Sequence, residues 1–161
     1  MAKASPTQRA LAECKKRGWK PAIVEKWNPH ARIRQDLYGF ADLVVLDGNP
    51  GLLALQVTSG ANLSARMAKL SAVPAVVDWL KAGLRVECWG YRKLVVKRGG
   101  KATRWNLRRV SARYGWPPAD RERVAVGGLS ATDFAHTGQT VLWTEVDESA
   151  PPLVDLPGSP T

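Results

Sequence analysis

Leu11 and Cys14, three residues apart, mark one stripe over Thr7 to Arg17. Thr7 stands where a cap is needed and Gly18 where a helix stops, so this stretch is expected to be helical. Ala22-Ile23-Val24 then reads as a short strand, and Lys26 to Asp36, with no clear periodicity, as a loop. Two apolar runs follow, Phe40–Leu46 and Leu52–Thr58, separated by Asp47-Gly48-Asn49-Pro50-Gly51. A linker so rich in turn formers predicts a β-hairpin, and the apolar residues on both faces of its strands require cover on each side. Leu63, Met67 and Leu70 place a helix over 62–71, and Pro74 opens another that runs to Lys81 before Gly83. Leu84–Trp89 alternates as a strand, Leu94–Lys97 extends it across a bend, and Trp105–Val110 is a further strand. Beyond Tyr114 the pattern weakens, leaving Val124-Ala-Val and Val141-Leu-Trp as short appended strands and the proline-rich 149–161 as disordered. The expected fold is α/β: a mixed central sheet flanked by helices, with a poorly structured acidic C-terminal tail.

The length of 161 residues suits one domain with a buried core and a tail. No run approaches the roughly 18 apolar residues of a membrane-spanning helix, so no membrane partner is expected. The first residues lack the apolar run of a secretory signal, which points to the cytoplasm. Cys14 and Cys88 have neither disulfide-scaffold numbers nor metal-ligand spacing and are expected as buried, reduced thiols.

Charge divides the chain. Residues 1–113 carry 22 basic and 7 acidic side chains, a net of +15, while 114–161 carry 2 and 7, a net of −5. The expected organisation is therefore a basic core over 1–113 and an acidic extension over 114–161. A basic body of this kind suits a polyanionic partner, most simply nucleic acid.

Centring the hairpin on Asn49 opposes residues whose numbers sum to 98, so Asp42 faces Gln56 and Thr58 lies on the same face. A buried carboxylate needs partners or a cation. Two readings stand side by side: Gln56 and Thr58 hydrogen-bond Asp42, or Asp42 and the Gln56 carbonyl are oxygen ligands for a hard cation. Asp36, about 20 Å from Asp42 in an extended chain, returns to that site if Gly39 bends the backbone, and otherwise caps a turn. Glu25 reads as a solvent-facing strand residue. His30 and His136 lack ligand spacing, and the Gly-Gly pairs at 99–100 and 127–128 lack a phosphate-loop context, so no organic cofactor is expected. Ser59 and Ser64 have no histidine at a spacing that supports serine hydrolase chemistry.

Over roughly residues 7–95 the array resembles the PD-(D/E)XK nuclease superfamily, close to archaeal Holliday-junction resolvases and phage-type endonucleases. Glu13 in LAECKKRG matches that family's helical Glu, Asp42 in DLYGFADLVVLD its strand Asp, and Gln56 in LQVTS its second-strand position. The resemblance implies a Mg²⁺- or Mn²⁺-dependent endonuclease hydrolysing DNA phosphodiesters, structure-selective for junctions or branches. It implies Glu13, Asp42, Gln56 and the Val57 carbonyl as metal ligands, and Asp36 joins them if the Gly39 bend returns it to the site. It also implies a homodimer and a prokaryotic or phage-infected cell. Thr58 stands where the family carries Lys, so a cation from the following helix, Lys69 before Arg66, replaces it, or cleavage is lost and a non-catalytic nucleic-acid-binding protein remains. Arg34 lines the approach. Arg92, Lys93, Lys97 and Arg98, in a segment mixing aromatics with cations, are the expected backbone-binding residues.

Overall fold

The computed structural model describes residues 4–115 and 139–146. Helix α1, Pro6–Lys16, is capped two residues earlier than Thr7 suggests. Ser5 accepts from the Gln8 N–H at 3.2 Å while the Gln8 side chain accepts from the Ser5 N–H at 2.9 Å, a reciprocal cap that leaves Thr7 inside the helix. Lys15 and Lys16 in the last turn oppose the negative end of the helix dipole.

The strands that follow are β1 (Lys20–Ile23), β2 (Lys26–Asn28), β3 (Ile33–Gln35), β4 (Leu43–Leu46) and β5 (Leu53–Ser59). The β4–β5 hairpin has the expected register, Leu43 with Leu55, Val44 with Ala54 and Val45 with Leu53. In its turn the Asp47 carboxylate accepts from the Asn49 N–H at 3.1 Å and holds Arg85 through two bonds of 2.6 Å. The turn is thereby tied to the start of a distant strand, and the arginine holds the Asp47 carboxyl below its ordinary pKa.

Helices α2 (Leu63–Ser71) and α3 (Pro74–Lys81) form the crossover to β6 (Arg85–Val95), which runs parallel to β5. A crossover is what a parallel pair requires. Strands β7 (Thr103–Gly115) and β8 (Thr140–Glu145) complete a six-stranded mixed sheet in the order β1-β4-β5-β6-β7-β8.

Both faces of the sheet are covered, as the apolar hairpin strands demand. Under α1, Ala10 and Cys14 pack with Leu43, Leu55, Val57 and Trp89. On the other face Leu63 and Leu70 of α2 and Val76 of α3 pack with Ala54, Val86, Cys88 and Val110. Strand β5 is buried from Leu53 through Thr58 because it lies between these two cores. Cys14 and Cys88 are free and buried, and burial pushes their thiols up to about 11 and about 12, so they stay protonated.

Three further expectations change. Lys26 to Asp36 is not a loop but a second, two-stranded sheet in which Lys26 pairs with Gln35 and Trp27 with Arg34. Its strands are short and mostly exposed, so no apolar alternation announces them; the Asn28 side chain builds the turn by accepting from the His30 and Ala31 N–H groups at 3.0 and 3.1 Å. Strand β6 runs unbroken where a bend was expected, because its pairing with β7 continues from Val86 to Val95. The sheet also crosses the division at 113, since β7 continues to Gly115 and β8, which contains Val141-Leu142-Trp143, pairs along Val110–Gly115. Val124-Ala-Val and 149–161 lie outside the described residues. No helix among the described residues is long and apolar enough to cross a membrane.

Candidate metal centre

Asp42 lies at the mouth of the hairpin, immediately before β4, and its N–H donates to the Leu55 carbonyl at 2.9 Å. Its own carbonyl accepts from Val24 at 3.0 Å and from Glu25 at 3.3 Å, which draws the chain after β1 alongside it. Strand alternation puts the Asp42 side chain opposite Gln56, on the face covered by α2 and α3.

Asp36 reaches the same point by a tight reversal. The Leu37 N–H donates to Ala41 O at 2.9 Å and the Gly39 N–H to Asp36 O at 3.1 Å. Tyr38 and Gly39 take φ values of 52° and 76° to make the bend. Glycine adopts that conformation freely, whereas Tyr38 carries its strain as part of the turn. The bend foreseen at Gly39 thus returns Asp36 to Asp42. Carboxylate oxygens of Glu25, Asp36 and Asp42 all lie within 4.8 Å of one another.

Glu25 corrects the reading of a solvent-facing residue. Because Lys26 pairs with Gln35, the next rung outward opposes positions 25 and 36, so the β2–β3 hairpin closes its two flanking acids onto Asp42. A legible signal existed: two acids lie symmetrically about His30-Ala31, in the turn that Asn28-Pro29 opens. It carries meaning only once the segment is known to be a hairpin.

Asp42 is 6% exposed. Its Oδ2 accepts from Gln56 Nε2 at 2.6 Å and from the Val57 N–H at 2.7 Å. Burial pushes the Asp42 carboxyl up to about 7, and the charges of Asp36 and Glu25 add to the rise against the opposing pull of the Val57 N–H. Arg34 reaches Glu25 at 2.9 Å, from a side chain that is itself well exposed. Gln56 Oε1 is buried and has no hydrogen-bond partner among the described residues. Three carboxylates therefore converge beside the Gln56 amide, whose nitrogen faces Asp42, and hard oxygen donors such as carboxylates are what Mg²⁺ or Mn²⁺ takes. A cavity of about 280 Å³, lined by Ile23, Glu25, Trp27 and Arg34, opens beside Glu25.

The structure brings Asp36, Asp42, Gln56 and the Val57 backbone together, with Val57 contributing its N–H to Asp42. Thr58 is buried on the same face, beside Gly90 in the β5–β6 ladder. Glu13 does not join the acids. Its neighbours Ala10 and Cys14 pin α1 to the opposite face of the sheet, and Glu13 pairs with Arg17 at 2.8 Å. Of the two α2 cations, Lys69 is exposed, whereas Arg66 is partly buried and acts with Asp42 on the Cys88 thiol, the residue paired with Gln56. The order of preference between them reverses accordingly. Arg92, Lys93, Lys97 and Arg98 are exposed on β6 and the turn that follows.

Comparison of the chain with family models, curated proteins and solved structures finds no match. The acidic cluster and the sheet around it carry the functional reading.

Proposed function

We propose that this protein is a metal-dependent endonuclease of the PD-(D/E)XK type that hydrolyses DNA phosphodiester bonds. The observation that carries the reading is the convergence of Glu25, Asp36 and Asp42 beside the Gln56 amide. Support comes from the element order, in which a helix, a hairpin bearing the acid and amide, and a helical crossover to a parallel strand follow one another. The net charge of +15 over residues 1–113 suits a polyanionic substrate.

Asp42, Asp36 and Glu25 supply the negative charge that holds the cation, and Gln56 offers its amide carbonyl once the amide turns end for end. The Val57 N–H fixes the Asp42 carboxylate, so the central ligand is pre-oriented. A bound divalent cation would neutralise phosphate charge and lower the pKa of a coordinated water. Glu25 takes the place that the resemblance gave to Glu13. Arg66 stands nearest to the role of the family's lysine, and Thr58 binds water without adding charge.

Cleavage of labelled duplex, single-stranded and four-way-junction DNA with Mg²⁺ or Mn²⁺ tests the proposal. Cutting that EDTA and Asp42→Ala both abolish is the expected result, and the three DNAs then report substrate shape. Thr58 in the lysine position favours a second reading, a binding protein on the same fold. Tight binding without cutting in either metal selects it.

A further inference from the structure

Beyond Tyr91, β6 outruns the sheet. Strand β5 ends at Ser59, paired with Tyr91, and β8 pairs with β7 only along Val110–Gly115. Residues Arg92–Val95 and Thr103–Asn106 therefore form a two-stranded ribbon with no third strand on either edge among the described residues. The ribbon leaves from the end of the sheet that carries Gln56 and Asp42, because β5 and β6 are parallel and β4 is antiparallel to them. Arg9 of α1 stacks on Trp105 at 3.8 Å and braces one face.

Between 92 and 104 the chain has six basic residues and no acidic one: Arg92, Lys93, Lys97, Arg98, Lys101 and Arg104. All six are exposed, and none makes an ion pair or a side-chain hydrogen bond among the described residues. Val95 and Val96, 55% and 58% exposed, stand among these cations at the tip. An apolar tip ringed by unpaired cations has little to stabilise it alone and matches a polyanion that presents both phosphates and methyl groups. The major groove of B-form DNA does so, and its width of about 12 Å admits a two-stranded ribbon. The deep, narrow major groove of A-form RNA does not.

We infer that the β6–β7 ribbon is a docking arm for the major groove of duplex DNA. It rests on the nuclease reading for its purpose but not for its chemistry. Val95 lies about 23 Å further along the strand than Cys88, the partner of Gln56. The arm thus grips the duplex about seven base pairs from the acidic cluster, at about 3.4 Å per pair. Lys97, Arg98 and Lys101 neutralise phosphates at the groove's rim, while Arg92, Arg104 and Asn106, on the same face as Gln56, approach base edges.

Binding of a 30-base-pair DNA duplex, measured in EDTA across a salt series, tests the arm without requiring cleavage. Lys97→Gln/Arg98→Gln/Lys101→Gln should lower the slope of log affinity against log salt by about three and weaken binding more than tenfold near 0.1 M salt. Its melting point should match wild type, because these side chains are exposed and unpaired. Hydroxyl-radical protection should shorten at one end only, and an RNA duplex of the same sequence should bind more weakly than the DNA. An unchanged slope, or equal affinity for the RNA duplex, overturns the proposal. Slope loss in a protein that never cuts leaves the arm standing and the nuclease reading fallen. Metal-dependent cutting with an unchanged slope does the reverse.

Discussion

Asp42 and Glu87 are equally buried, each 6% exposed, on neighbouring parts of one sheet, and they are treated in opposite ways. Glu87 faces α1, where Arg109 grips it through two bonds of 3.0 Å and Trp89 Nε1 donates at 2.7 Å. Its charge is matched within the protein. Asp42 faces the other core with two N–H donors and two further carboxylates, and burial with like charge pushes it up to about 7. A protein able to build the first arrangement is under no packing constraint to build the second. The difference supports the proposal that the Asp42 end of the sheet receives positive charge from outside.

Breaking the matched pair has the largest expected effect. Arg109→Leu leaves Glu87 buried and unpaired, and denaturant unfolding should show a loss of about 3–5 kcal/mol. Metal comes next. Mn²⁺ or Mg²⁺ at a hundred times its dissociation constant should stabilise the wild type by about 2.7 kcal/mol. That gain should vanish in Asp36→Asn and Asp42→Asn; a gain that persists in both removes the metal centre.

Acidity sharpens the contrast in sign. In EDTA, Asp42 ionises near its ordinary 3.8 when unfolded and at about 7 when folded. The native state holds the extra proton over this interval, so the stability present below the lower value is lost as pH rises through the upper one. Asp42→Asn should flatten that decline and, at pH 8 without metal, raise stability by about 1–3 kcal/mol. A melting series from pH 5 to 8 on both proteins checks it; a flat wild-type profile contradicts the raised value.

The smallest effect tests the boundary between the two regions. Glu13→Gln removes a partly exposed pair with Arg17 on the α1 face and should cost under about 1 kcal/mol. Metal affinity, read by titration calorimetry, should change less than about twofold. A tenfold loss would return Glu13 to the ligand set, as the resemblance implies.

The parts legible beforehand are those governed by short-range rules. Asp47-Gly48-Asn49-Pro50-Gly51 centres its own turn, so the register that opposes Asp42 to Gln56 follows from the period of two. Pro74 and Gly83 bracket α3 for similarly local reasons. Glu25 was hidden because the β2–β3 strands are only three residues long and mostly exposed, leaving no apolar alternation to read. Strand β8 joins the sheet from the far side of residues 116–138, a separation no local pattern spans.

By itself, then, the sequence determined the helices, the hairpin, its register, the buried acid with its amide partner, and the excess of cations, because each depends on residues within a turn or a strand of one another. Tertiary structure alone decided that Glu25 and not Glu13 meets Asp42, that Arg66 is partly buried while Lys69 is exposed, and that β6 and β7 outrun their neighbours. Those outcomes depend on which face of the sheet a helix covers and where adjacent strands end, and such choices are made by packing between segments far apart in the chain.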